Sequence, residues 1–169
     1  LRLNCLVRPY ALLWEELYDI AWQQDSWVPN VGVDYADRVP LGQVTLNWQW
    51  STPLRRAADR RQALVEIDAI VAIMLGITSE ELTTIYRTQF PVLQKYDRDA
   101  LYDAHGRQLP GKLALEFRKG KAHPTTKPED FTVDGVTYEE PFTGADRERD
   151  MELAHKHFSE LAVRLAEPT

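Results

Sequence analysis

Residues 61–91, RQALVEIDAIVAIMLGITSEELTTIYRTQFP, decide how this chain reads. From Leu64 to Leu75 every side chain is apolar except Glu66 and Asp68, and the run is too long for one strand. Gly76 can take the left-handed conformation that closes a helix. Thr78 and Glu81 then have the spacing of a capping box, in which the hydroxyl accepts a first-turn N–H while the carboxylate reaches back. A second helix is therefore expected from Ser79 to about Gln89, with Leu82, Ile85, Tyr86 and Phe90 facing inward. Pro91 ends or kinks it. Upstream, Ser51-Thr52-Pro53 has the form of a helix start, since proline's missing N–H costs nothing in the first turn. The first helix is thus expected to run from there to Leu75, wet at its arginine-rich beginning and buried at its end.

Working outward, Leu6, Tyr10, Leu13, Leu17 and Ile20 recur at spacings of three and four. They predict a helix from about Arg8 to Trp22, its face widened by Trp14 and Tyr18. Residues 25–50 lose that period and are punctuated by Pro29, Gly32, Pro40 and Gly42, which predicts a long ordered loop anchored by Trp48 and Trp50. Residues 95–128 form a mixed, basic segment, with a turn at Tyr102–Arg107 and a short helix at Lys112–Phe117. Asp134-Gly135 suits a two-residue type I′ turn that pairs Val133 with Val136 and Phe131 with Tyr138. Met151, Ala154, Phe158, Leu161 and Leu165 give a closing helix, 146–166, one apolar stripe. The expected fold is mainly α with a small β component (α+β), a core of three to five helices plus a hairpin near 131–138, all within one domain spanning 1–169.

The 44% hydrophobic and 27% charged content is that of an ordinary globular protein. Ala69–Leu75, the longest apolar run, falls far short of the roughly 20 residues a membrane span needs, and no secretory leader opens the sequence. With Cys5 as the single cysteine, an internal disulfide is excluded and a cytoplasmic setting is expected. Leu1–Cys5 already reads as chain-continuous, which gives the expectation of a piece of a longer polypeptide. The net charge of −6 is uneven: residues 129–169 carry eleven acidic against four basic side chains, and residues 87–128 nine basic against four acidic. An acidic total argues against a freestanding nonspecific DNA binder but leaves room for a local basic face.

The chain holds no glycine-rich cofactor loop, no P-loop and no metalloprotease histidine pair, so no catalytic residue and no metal site is assigned. Asp103 and Glu116 lack the carboxylate-x-Lys order of a nuclease. His105, His123, His155 and His157 make no ligand set. A helix-turn-helix around Gly76 would present acidic Glu80 and Glu81 to phosphates. The candidate DNA contacts are Arg55, Arg56, Arg60 and Arg61, with Arg118, Lys119, Lys121 and Lys127 as a second basic stretch. Asp68, a carboxylate in an apolar helical turn, needs a partner, and Arg87 one helix on is the expected one.

Three stretches carry a resemblance. Arg61-Gln-Ala-Leu-Val-Glu-Ile-Asp-Ala-Ile-Val-Ala, then Leu-Gly-Ile-Thr, then Glu81-Leu-Thr-Thr-Ile-Tyr-Arg-Thr-Gln-Phe-Pro-Val-Leu93 resemble the C-terminal part of large bacterial class I SAM-dependent DNA methyltransferases of restriction–modification and phage-defence systems. Leu1-Arg-Leu-Asn-Cys-Leu, Tyr102-Asp-Ala-His-Gly-Arg107, Tyr138-Glu-Glu-Pro-Phe142 and Asp146-Arg-Glu-Arg-Asp150 match the later and earlier parts of the same pattern. The resemblance implies a parent DNA (adenine) methyltransferase whose SAM site and catalytic tetrapeptide lie in an upstream domain, with no cofactor in this region itself. It implies an accessory or target-recognition role, with DNA and the upstream methyltransferase domain as partners. The alternative is a docking module for that domain or a partner subunit, with no DNA contact.

Overall fold

A computed structural model describes residues 1–120 and 131–166. Six helices and one two-stranded hairpin make up the regular structure among these residues, so the mainly α fold with a small β component is as expected. Helix α1 is Ala11–Leu17, α2 Ala57–Met74, α3 Ser79–Gln89, α4 Pro91–Asp99, α5 Gly111–Arg118 and α6 Arg147–Ala166. Strands β1 (Thr132–Val133) and β2 (Val136–Thr137) pair antiparallel, Val133 opposite Val136. Asp134 and Gly135 have φ of 51° and 77°, which is the type I′ geometry that Asp-Gly favours.

Local chemistry explains the middle of the chain. Gly76 takes φ 70° just past α2. The Thr78 hydroxyl accepts the Glu81 N–H while the Glu81 carboxylate accepts the Thr78 N–H at 2.8 Å, so the capping box forms in full. Pro91 does not stop the chain but opens α4 as its first residue, where its fixed φ suits a helix. That helix was not expected within the mixed segment. Helix α5 falls where the short Lys112–Phe117 helix was placed.

Two helix starts differ from the sequence reading. Helix α2 begins at Ala57 rather than Pro53. The Thr52 hydroxyl accepts the Gln49 N–H at 2.9 Å, and the Leu54 N–H goes to the Arg2 carbonyl at 2.9 Å. Thr52, Pro53 and Leu54 are buried as a turn clamped against the N-terminal segment, and the helix cannot begin until that clamp ends. The helix expected from Arg8 to Trp22 breaks into α1 flanked by two 3₁₀ turns, Arg8–Tyr10 and Ile20–Gln24. Tyr18 and Asp19 are extended, and the Asp19 carboxylate accepts the Ala21 N–H at 2.8 Å, a local bond that competes with helix continuation. The face that turns inward is also different. Trp14 is fully buried with Tyr18 and Trp22 beside it, while Leu12, Leu13, Leu17 and Ile20 stay exposed.

The main core joins Val65 and Ala69 of α2, Tyr86 of α3, and Met151 and Ala154 of α6 with Val28 and Val31 of the long loop. Helix α2 is therefore covered on one side by α6 and on another by residues 25–50. The polar side chains of α2 hold that loop. Gln62 Nε2 donates to the Val28 carbonyl and to Glu66 Oε1, and Glu66 Oε1 accepts the Val28 N–H at 3.0 Å. Burial pushes the Glu66 carboxyl up, opposed by those two hydrogen bonds. A second core around Leu109, Leu113, Phe131 and Phe142 joins α5 to the hairpin. No described helix is long and apolar enough to cross a membrane.

Candidate nucleic-acid interface

The four arginines that read as one basic cluster in the sequence are divided by the fold. Arg61 is 7% exposed: its Nη1 donates to Asp150 Oδ2 at 2.6 Å and its Nε lies 3.8 Å from Asp97. Arg60 Nη1 donates to the carbonyl oxygens of Leu3 and Leu54 at 2.9 and 3.1 Å, tying the N-terminal segment to α2. Neither guanidinium is presented to a phosphate. Arg55 and Arg56 are exposed and lie side by side just before α2.

In the second basic stretch, Arg118 is exposed but folded back on the end of α4. Its Nη1 lies 3.3 Å from Asp99 and its Nη2 donates to the Arg98 carbonyl. Lys119 is exposed at the end of α5. Lys121 and Lys127 lie outside the described residues, as does His123.

The pairing expected for Asp68 is corrected. Arg147 Nη2, from the first turn of α6, donates to Asp68 Oδ2 at 2.9 Å, whereas Arg87 Nε donates to Glu148 at 2.9 Å. Tyr86 takes the inward position on α3, so its neighbour Arg87 points outward. The close packing of α2 on α6 brings Arg147 over Asp68 instead. Arg147 Nη1 also lies 3.5 Å from Asp97, which accepts the Tyr86 hydroxyl at 3.0 Å. Arg61, Arg147, Asp68, Asp97, Asp150 and Tyr86 thus form one ion network stitching α2, α3, α4 and α6. Burial and Asp97 push the Tyr86 hydroxyl up to about 12, so it remains a donor at neutral pH. The network is a structural clasp. Its carboxylates are spent on arginines.

Asp103 is likewise consumed by its own turn. Oδ1 accepts the N–H groups of His105 and Arg107 at 3.0 and 2.9 Å, and Oδ2 accepts Arg107 Nε at 2.7 Å. Its carboxylate closes the 103–107 turn. Among the described residues no three His, Cys, Asp or Glu side chains are placed to share a metal ion.

Trp48 anchors the loop as expected, packing with Cys5, Trp14 and Val44 and donating its ring N–H to the Cys5 carbonyl at 2.9 Å. Trp50 does not. It is 68% exposed, touches Trp48 only edge-on at 6.4 Å, and carries the Arg55 guanidinium over its ring at 3.6 Å. Arg55 is held there by donating to the carbonyls of Trp50 and Leu6 at 2.8 and 2.9 Å. Trp50, Arg55 and Arg56 line a cleft of about 480 Å³ with Arg2, Gln49 and Ser51. Asp59 at its base is neutralised by Arg38 at 3.0 Å and accepts the Tyr35 hydroxyl at 2.7 Å. Trp50 reads in the sequence as an anchor like Trp48, but it follows the same loop in a polar turn just before Ser-Thr-Pro and a basic pair, and it stays at the surface.

No protein-family model matches this chain, and neither a curated protein nor a solved structure matches it. Besides the Trp50 cleft, a second surface stands out on α2. Leu64, Ile67, Ile70, Val71, Met74 and Leu75 are all exposed, Met74 to 80% and Leu75 to 69%. Their spacing of three and four makes one stripe along the helix, opposite the face that packs on α6. A groove flanks the stripe on each side. One of about 350 Å³ lies between Val71 of α2, Leu75 just after it, Leu82, Ile85 and Phe90. The other, of about 270 Å³, runs beside Ala63 and Ile67 against Leu1, Trp22 and Leu41.

Proposed function

We propose that this chain is a non-catalytic accessory region of a SAM-dependent DNA methyltransferase of a restriction–modification or phage-defence system, and that its first task is assembly. The carrying observation is the outward stripe of α2 between its two grooves. A helix that is apolar on both sides is normally buried on both sides, and a contiguous exposed apolar surface rimmed by polar residues marks an interaction site. The upstream methyltransferase domain is the partner that the sequence resemblance supplies. SAM would bind there, not here.

The test is reassembly in trans. The coding sequence upstream of Leu1 should encode a cofactor loop and an Asn/Asp-Pro-Pro-aromatic tetrapeptide. That upstream protein should co-purify with the 169-residue chain. Ile67→Glu with Val71→Glu should abolish the association without altering the chain's circular dichroism. Association that survives both charges, or an upstream frame without those motifs, overturns the reading.

A second reading, direct DNA contact, is favoured by one observation: Arg55 and Arg56 remain exposed beside Trp50, in a cleft whose one acidic group is already paired. Phosphate neutralisation by such groups gives steeply salt-dependent binding.

A further inference from the structure

We infer that the Trp50 cleft is a nucleobase-stacking site, taking an unpaired base of single-stranded nucleic acid on the Trp50–Arg55 pair with its phosphate on Arg56. This deepens the DNA-contact reading above and rests on it, but it does not depend on the docking role of α2.

Three features of the cleft point to that ligand. The first is an aromatic ring left in the open. Its neighbour Trp48 has both a hydrogen-bond partner and a packed environment, while Trp50 is 68% exposed. The second is the fixed stacking pair. Arg55 is locked in the plane above Trp50 by two backbone carbonyls, so the guanidinium and the indole form a preset platform and lose little freedom when a base adds to it. Bases stack on both aromatic rings and guanidinium planes, without preference for sequence. The third is the sign of the charge. Arg2, Arg55 and Arg56 line the cleft, and its acidic residue Asp59 is matched by Arg38, so the cleft is cationic within a chain whose net charge is −6. A volume of about 480 Å³ is ample for one nucleotide. A duplex offers no free base face along its length, so the geometry favours a single strand over a duplex. Apolar lining from Val39, Pro53 and Leu54 would also suit a docked protein segment; the fixed Trp50–Arg55 pair with Arg56 beside it is what favours a base and its phosphate.

The test uses the 169-residue chain with fluorescein-labelled dT12, and a 12-base-pair duplex as comparison, followed by anisotropy at low and at physiological salt. The chain should bind dT12 more tightly than the duplex. Trp50→Ala should weaken dT12 binding about five- to 150-fold, the range for loss of one stacked base, and Trp50→Phe should restore most of it. Arg56→Glu should weaken both ligands and flatten the salt dependence, while Lys156→Glu, remote in sequence and exposed on α6, should leave dT12 binding within twofold. Because Trp50 is a surface residue, its variants should melt with the parent chain, and circular dichroism verifies this. Absence of dT12 binding at low salt overturns the site, as does binding indifferent to Trp50→Ala. If Trp50→Ala instead weakens only reassembly with the upstream domain, the cleft is a protein contact and the inference is wrong. The α2 variants Ile67→Glu and Val71→Glu should not change dT12 affinity, so the docking reading and this one can fail separately.

Discussion

Replacing Asp150 by Ala should be among the most damaging single changes in this chain, and removing Arg61 with it should repair part of the loss. Asp150 is 2% exposed, its Oδ2 accepts Arg61 Nη1 at 2.6 Å, and its Oδ1 accepts the Gly32 N–H at 3.0 Å. Truncation strands two donors at once. Arg61 is itself buried, its Nη2 has no hydrogen-bond partner, and its remaining carboxylate, Asp97, is 3.8 Å away and shared with Arg147. An uncompensated buried charge costs about 3–5 kcal/mol, and the orphaned Gly32 N–H adds about 1 kcal/mol or more. For a chain of this length each kcal/mol lowers Tm by about 2–4 °C, so the Tm of Asp150→Ala should fall by roughly 8–24 °C. The double variant Arg61→Met with Asp150→Leu removes both charges and fills the space with apolar groups. Such replacements are often neutral or stabilising. It should therefore be more stable than Asp150→Ala alone, losing about 1–3 kcal/mol, mostly for the Gly32 N–H. Urea unfolding followed by tryptophan fluorescence, with the m-value compared across variants, gives the free energies. If the double variant is as unstable as the sum of Asp150→Leu and Arg61→Met, the pair is not coupled and the clasp is misread. The same variants bear on function, because a buried Arg61 contacts no phosphate: Arg61→Met should leave the salt dependence of any DNA binding unchanged.

Acid stability should report on Asp103. Burial opposes its charge, but the Arg107 side chain and the N–H groups of Arg107 and His105 together hold the carboxyl below its usual range. A carboxyl lowered on folding adds stability that is present above the unfolded value of 3.8 and lost as pH falls through the folded value. Asp103→Asn should lose about 1.5–3 kcal/mol at pH 7 and show a shallower decline below pH 4 in pH-dependent melting. Thr78→Ala removes the hydroxyl of the capping box and should cost about 1 kcal/mol, read as a drop of about 2–4 °C in Tm. At Gly106, φ is 69° and a Cβ would stand 2.6 Å from the Tyr35 ring. Gly106→Ala should therefore destabilise by about 2–4 kcal/mol in urea unfolding, from left-handed strain and overpacking together.

Some of this molecule was legible from the sequence because the signals are local. The Thr78–Glu81 box, Gly76 at the end of α2 and the Asp134-Gly135 turn depend on residues within a few positions of one another, and each formed as read. The apolar periodicity of α6 likewise placed that helix within a residue. Failures came where distant parts of the chain compete for the same groups. Ser51-Thr52-Pro53 has every local mark of a helix start, but Arg2 claims the Leu54 N–H and Thr52 turns back to Gln49, so α2 waits until Ala57. The Leu6–Ile20 stripe had the right period and the wrong face, since burying Trp14 with its ring neighbours turned the leucines outward.

The candidate site divides in the same way. The order of residues alone determined that this chain carries arginines at the start of an apolar helix and an acidic C-terminal quarter. Only the tertiary structure decided which arginines stay exposed. Arg60 and Arg61 are consumed by carbonyls and carboxylates up to 89 positions away, and Asp68 is claimed by Arg147 rather than by Arg87. Sequence spacing sets which side chains share a helix face, but a charged group's partner is whichever opposite charge the packed helices bring within a few ångströms. In this chain the packing of α2 on α6 and of the N-terminal segment on α2 made that choice, leaving Trp50, Arg55 and Arg56 at the surface.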